Sequence, residues 1–114
     1  MPQLLLEEIA AVDGVVSSGL VDRDGLLLGS SGSSADVETW ASQIANMQDS
    51  SISMSAELGI GDLNSITVFG NEGSCICWVL EDSARIVLVL SKHANLGAVR
   101  RSVQERLERI KSLL

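Results

Sequence analysis

The chain has 114 residues, of which 46% are hydrophobic and 3% aromatic, and a formal net charge of -7. That length predicts one domain, residues 1–114, with a core built from Leu, Ile, Val and Ala. The acidic balance argues against nucleic acid as a partner, since phosphate binding needs clustered Lys and Arg. No apolar run approaches the roughly 20 residues that span a bilayer, so no membrane insertion is expected.

The elements follow in order along the chain. Leu5, Ile9 and Val12 recur at helical spacing, which predicts a short amphipathic helix over 3–12, ended by Asp13-Gly14. Leu4-Leu5-Leu6 runs straight into Glu7-Glu8 with no basic region before it, so this end does not read as a signal peptide. Two short apolar strands, 15–23 and 26–30, flank Asp24-Gly25, a pair that tolerates positive φ and marks a hairpin turn. A Ser/Gly loop, 30–35, leads into a long helix over about 36–58, with Asp36 as N-cap and Gly59 and Gly61 as stop signals.

Three strands come next, 65–69, 74–80 and 84–91. Gly70 to Gly73 and Glu81 to Ser83 connect them, and connections this short imply antiparallel neighbours. Ile86 to Leu90 is apolar on both faces, which predicts a central strand with helices above and below the sheet. Asn95 can cap a last helix, 96–113, whose apolar stripe is Leu96, Val99, Val103, Leu107, Ile110 and Leu113. The charge is uneven. Residues 1–82 hold thirteen acids and one base, Arg23, while residues 83–114 hold two acids and seven bases. The basic end reads as the solvated face of the last helix, balancing an acidic body.

The sequence offers little chemistry. It contains no Gly-x-x-x-x-Gly-Lys-Ser/Thr, and neither Lys92 nor Lys111 follows a glycine loop, so the chain is not a P-loop nucleotidase. Gly29 to Gly32 and Gly70 to Gly73 read as turns, not phosphate cradles. His93 is the sole histidine and has no acid neighbour in sequence that would orient it as a base. Cys75 and Cys77 lie one residue apart in a strand. They share a face, are poorly placed for a disulfide and lack partners for a metal site. They read as buried free thiols in a reducing, cytoplasmic setting. No catalytic, cofactor-binding or metal-binding residues are expected, and the protein does not read as an enzyme.

The long helix is the unusual element. Trp40, Ile44, Met47, Ser51, Met54 and Leu58 form one line, and Val37, Ala41, Ile44, Gln48, Ile52 and Ser55 lie alongside. Trp40, Ile44 and Leu58 are expected to pack on the sheet. Met47, Ser50, Ser51 and Met54 are candidates for a partner-binding surface, because small side chains admit close approach and the apolar arc is wider than one sheet face requires.

Three passages carry a resemblance: GLVDRDGLLLGSS (Gly19 to Ser31), the helix end Glu57-Leu58-Gly59-Ile60-Gly61-Asp62-Leu63, and ANLGAVRRSV (Ala94 to Val103) after an apolar strand. Together they resemble the Roadblock/dynein light chain family, in its prokaryotic branch similar to the Mgl-type regulators of Ras-like GTPases. The resemblance implies an α+β three-layer sandwich. Its five-stranded antiparallel sheet has the order 2-1-5-4-3, with two helices on one face and one long helix on the other. It also implies a homodimer joined along the edge strand Ser65, Ile66, Thr67, Val68 and Phe69, with the long helices, Met54 included, side by side across the axis. A proline at Val68 would test that edge if its amide faces outward. The implied function is a non-catalytic regulator or scaffold that binds a small Ras-like GTPase. A light-chain type adaptor that ignores nucleotide state is the alternative. A small-molecule sensor is a third reading, for which the core offers few polar groups: Ser17, Thr67, Cys75 and Cys77.

Overall fold

The computed structural model describes residues 2–32, 37–80 and 84–112. The elements run α1 (Pro2–Ala10), β1 (Val15–Asp22), β2 (Leu27–Gly32), α2 (Val37–Glu57), β3 (Ser65–Phe69), β4 (Gly73–Leu80), β5 (Ala84–Ser91) and α3 (Leu96–Ser112). They form one antiparallel sheet of order β2-β1-β5-β4-β3, as the resemblance implied. Asp36, Glu81 to Ser83 and Leu113 lie outside the described residues, so the expected N-cap and the β4–β5 turn are not assigned.

Two cores, one on each face, explain the three layers. Strand residues alternate sides, so β5 sends Ala84, Ile86, Leu88 and Leu90 to one face. There they pack with Leu6 and Ile9 of α1 and Val99, Val103 and Ile110 of α3. Val87 points the other way and joins Val21, Cys77, Ala41 and Ile44 beneath α2. The both-sided apolar run of β5 is thus central and covered above and below. Burying a side chain of this size contributes about 1.5–3 kcal/mol each.

Local chemistry sets the boundaries. In the β1–β2 hairpin, Asp22 Oδ1 accepts from the amides of Asp24 and Leu26, both at 2.9 Å. Gly25 sits at φ 90°, where an L side chain is strained. Leu26 therefore belongs to the turn, and the second strand runs Leu27–Gly32, two residues past the expected end, because Gly32 pairs with Ser17. The first helix stops at Ala10, two residues early. The next amides tighten onto nearer carbonyls, Val12 N to Ile9 O at 3.0 Å, while Val12 still packs on the core. Asn95 Oδ1 accepts from the Ala98 amide at 3.0 Å, the expected cap of α3.

The end of α2 is a Schellman cap. The Ile60 amide reaches Ser55 O at 3.2 Å, the Gly59 amide reaches Ala56 O at 3.1 Å, and Gly59 lies at φ 68°. A methyl group at Gly59 would meet no neighbour, so Gly59→Ala isolates the backbone effect. It should cost about 1–2 kcal/mol, read as a lower urea midpoint with unchanged slope. A fall larger than that range would mean packing is involved.

Both cysteines are free, as expected, and both face α2. Burial pushes the Cys77 thiol up to about 12, and the half-buried Cys75 is raised for the same reason. In the unfolded chain the Cys77 thiol ionises near 9.0, its ordinary value, while in the fold it keeps its proton. Stability is therefore whole below pH 9 and falls as pH rises from 9 towards 12, by up to about 1.4 kcal/mol per unit. Urea midpoints at pH 8 and 10.5 should show this fall for the wild type, and Cys77→Ala should reduce it. An equal fall in both proteins would place the titration elsewhere.

Candidate interaction surface

β3 is one of the two edges of the sheet, β2 being the other. It pairs with β4 in the register Ser65↔Trp78, Ile66↔Cys77, Thr67↔Ile76, Val68↔Cys75 and Phe69↔Ser74, and with no other described strand. Its two faces differ. Ile66 and Val68 share the α2 side with Cys77 and Cys75, while Ser65, Thr67 and Phe69 lie on the α3 side, where Arg100 donates to Thr67 Oγ1 at 2.9 Å. Phe69, the single phenylalanine, is 69% exposed and Val68 47% exposed. An uncovered apolar edge of this kind is a template for pairing with another strand.

The direction of the edge amides follows from the ladder. Val79 N bonds Asn64 O at 3.0 Å and Gly70 N bonds Gly73 O at 2.8 Å, so the even-numbered residues of β3 point their amides at β4. Antiparallel alternation then turns the amides and carbonyls of Ser65, Thr67 and Phe69 outward. The Val68 amide faces inward, so a proline at Val68 would break the domain's own ladder rather than an edge contact.

On α2 the buried residues belong to the second line, Ala41, Ile44, Gln48 and Ser55, while Ile52 of that line is 43% exposed and the side chain of Val37 lies outside the described residues. Ile44 packs on the sheet as expected. Leu58 does not: it lies past the last helical turn and is 63% exposed. The side chain of Trp40 lies outside the described residues. Met47 and Ser51 are half-buried at the helix flank, and Met47 packs with Ile66 against the α2 core. Ser50 and Met54 are exposed, Met54 at 57%. Met47, Ser50, Ser51 and Met54 therefore form one stripe along the flank of α2, outward at Ser50 and Met54 and half-buried at Met47 and Ser51. Ser51 Oγ donates to Met47 O at 2.9 Å, which satisfies its hydroxyl without an outside partner. Leu58 and Ile60 continue the apolar surface beyond the helix.

α2 crosses only one end of the sheet, over Val21, Val87 and Cys77. The other end keeps an open apolar groove of about 450 Å³ lined by Val16, Val68, Cys75 and Val89. Edge, groove and stripe thus lie on the same side of the molecule. The basic end of the chain is partly spent within the fold: Arg109 and Arg106 of α3 meet Glu8 of α1 at 3.2 and 4.0 Å. His93 is exposed in the turn before α3. Among the described residues no His, Cys, Asp and Glu cluster could hold a metal ion, and no helix is long and apolar enough to cross a membrane.

Sequence reasoning passed over a buried charged group. Arg85, only 7% exposed, donates its Nε–H to Gln48 Oε1 and an η nitrogen to Ala84 O at 3.3 Å. Gln48 Nε2 in turn donates to Cys77 Sγ at 3.0 Å. The signal was present, because Arg85 is the one charged residue in the run ARIVLVL and shares its face with Val87.

The comparisons agree with this architecture. The Roadblock/LC7 domain model matches residues 1–92. Among solved structures, Myxococcus xanthus MglB superposes with a TM-score of 0.91 at 17% identity, over 98% of this chain and 93% of that one. The gliding protein MglB from Thermus thermophilus gives 0.87 at 22% identity, over 99% and 93%. A Roadblock/LC7 domain from Streptomyces avermitilis gives 0.89 at 14% identity, over 97% and 95%. No curated protein matches the sequence. With the family model covering most of the chain and the sheet in the order the family implies, the chain belongs to the Roadblock/LC7 family.

Proposed function

We propose that the protein is a non-catalytic homodimer that binds a small Ras-like GTPase and modulates its activity, as a regulator or a scaffold. The observation that carries this reading is the flank stripe of α2, with Ser50 and Met54 exposed beside half-buried Met47 and Ser51, together with an edge strand whose Val68 and Phe69 lack cover. Pairing two copies along Ser65 to Phe69 would cover the edge and bring two α2 stripes together, giving a composite surface that one copy cannot present. Met54 then lies where the two helices approach each other. The likeness to MglB supports a partner of the GTPase class, and the setting proposed is the cytoplasm.

Catalytic help from such a surface would be selective binding of the hydrolysis-competent conformation of the GTPase, shifting its population. The test is to incubate the protein with each small GTPase of its own organism, loaded with GDP or with a GTP analogue, and to measure complex formation. Preference for one nucleotide state supports the reading. Binding that ignores nucleotide would favour an adaptor. Titration of the protein alone with GTP and Mg²⁺ should give no heat of binding, and micromolar affinity would overturn the non-catalytic assignment.

A further inference from the structure

A second site lies away from the stripe. A cleft of about 320 Å³ opens between the C-terminal half of α2, the segment after it and the ends of β4 and β5. Its apolar walls are Ile52, Ala56, Leu63 and Val79. Arg85 and exposed Asp62 line it as well.

Arg85 keeps its positive charge in any environment a protein provides. Its acceptors, Gln48 Oε1 and Ala84 O, are both neutral. A buried charge is unfavourable unless an opposite charge answers it. Gln48 accepts from the Nε edge of the guanidinium and donates in turn to Cys77 Sγ. Arg85 is one of the residues lining the cleft.

We propose that this cleft binds a small aliphatic monocarboxylate, with its carboxylate on Arg85 and its chain against Ile52, Leu63 and Val79. The planar fork of an arginine matches a carboxylate. The volume sits at the small end of ligand pockets, which excludes large cofactors. Asp62 at the same cleft disfavours a second negative charge, so phosphate and dicarboxylates are discriminated against. The site is independent of the GTPase reading and would stand if that reading failed.

The experiment is a titration of the 114-residue chain followed by amide and arginine Nε–H nuclear magnetic resonance, with isovalerate as the probe. Saturable shifts are expected at Leu63, Val79 and the Arg85 side chain. Isovaleramide, neutral and of the same shape, and inorganic phosphate should each bind at least about tenfold more weakly. Ala56→Phe fills the cleft from an exposed helix position without touching Arg85 or Gln48, and should abolish the isovalerate response while the rest of the spectrum is kept. Arg85→Met should abolish it as well; if that variant does not fold, Ala56→Phe still decides. No saturable shift at about 20 mM isovalerate, an equal response to isovaleramide, or binding that survives Ala56→Phe would each overturn the proposal.

Discussion

Thr67→Pro is expected to turn the proposed dimer into a folded monomer, with the light-scattering mass falling to 12.1 kDa at micromolar concentration. The Thr67 amide points away from β4, so the domain's own ladder keeps all its bonds. A partner strand on that edge would lose one donor, leave its own carbonyl unanswered and meet the pyrrolidine ring. An unanswered carbonyl alone costs about 1–3 kcal/mol, up to roughly a hundredfold in dissociation constant, and the symmetry of the pairing applies the change from both protomers. A stable dimer of this type should bury about 1,200–2,000 Å², so a loss concentrated at its centre is decisive. Val68→Pro is the informative contrast. Its amide serves β4, and that variant should lower the urea midpoint of the domain itself. If Thr67→Pro remains dimeric with its fold intact, the seam is not β3.

Ser51→Arg is expected to abolish binding to whichever GTPase the wild type captures, while leaving the dimer whole. Ser51 is half-buried at the flank of α2, between exposed Ser50 and Met54, and its hydroxyl is already turned back onto Met47 O. A long charged chain there must project from the stripe. Against a close-fitting partner it brings both steric conflict and a charge without a partner, which costs several kcal/mol of binding. The fold itself should tolerate the change, because arginine can run its stem along the helix flank and keep its head in water. Two measurements separate the outcomes: oligomer mass, and GTPase binding. Loss of the dimer would move Ser51 into the seam between protomers. An intact dimer with unchanged binding would leave the α2 stripe as plain solvent surface.

Much of the architecture was legible in the residues. The unbroken apolar run of β5 announced a strand covered on both sides, and Asp24-Gly25 announced the hairpin. Gly59 ended the long helix, and Asn95 capped the last one. Each is a local matter, in which a few neighbouring side chains satisfy or refuse a particular backbone geometry. The order of the strands was not local. It came with the resemblance, since short connections establish only which strands are antiparallel neighbours, not where β1 joins the meander.

What the sequence by itself determined was the inventory: an acidic chain, apolar strands of set length, a long helix with two possible faces, and no motif for nucleotide or metal chemistry. The tertiary structure decided which of those faces is buried. Both lines of α2 are apolar enough to pack, and only the rotation of the helix on the sheet sends Ala41, Ile44, Gln48 and Ser55 inward and leaves Met54 outside. It decided likewise that the even-numbered amides of β3 serve β4, because hydrogen-bond phase is a property of the pair of strands and not of either alone. Arg85 is the sharpest case. In the chain it is one basic residue at the start of an apolar strand. In the fold it is a buried cation beside a cleft, since the faces of β5 are assigned only when α2 and Gln48 close over one of them.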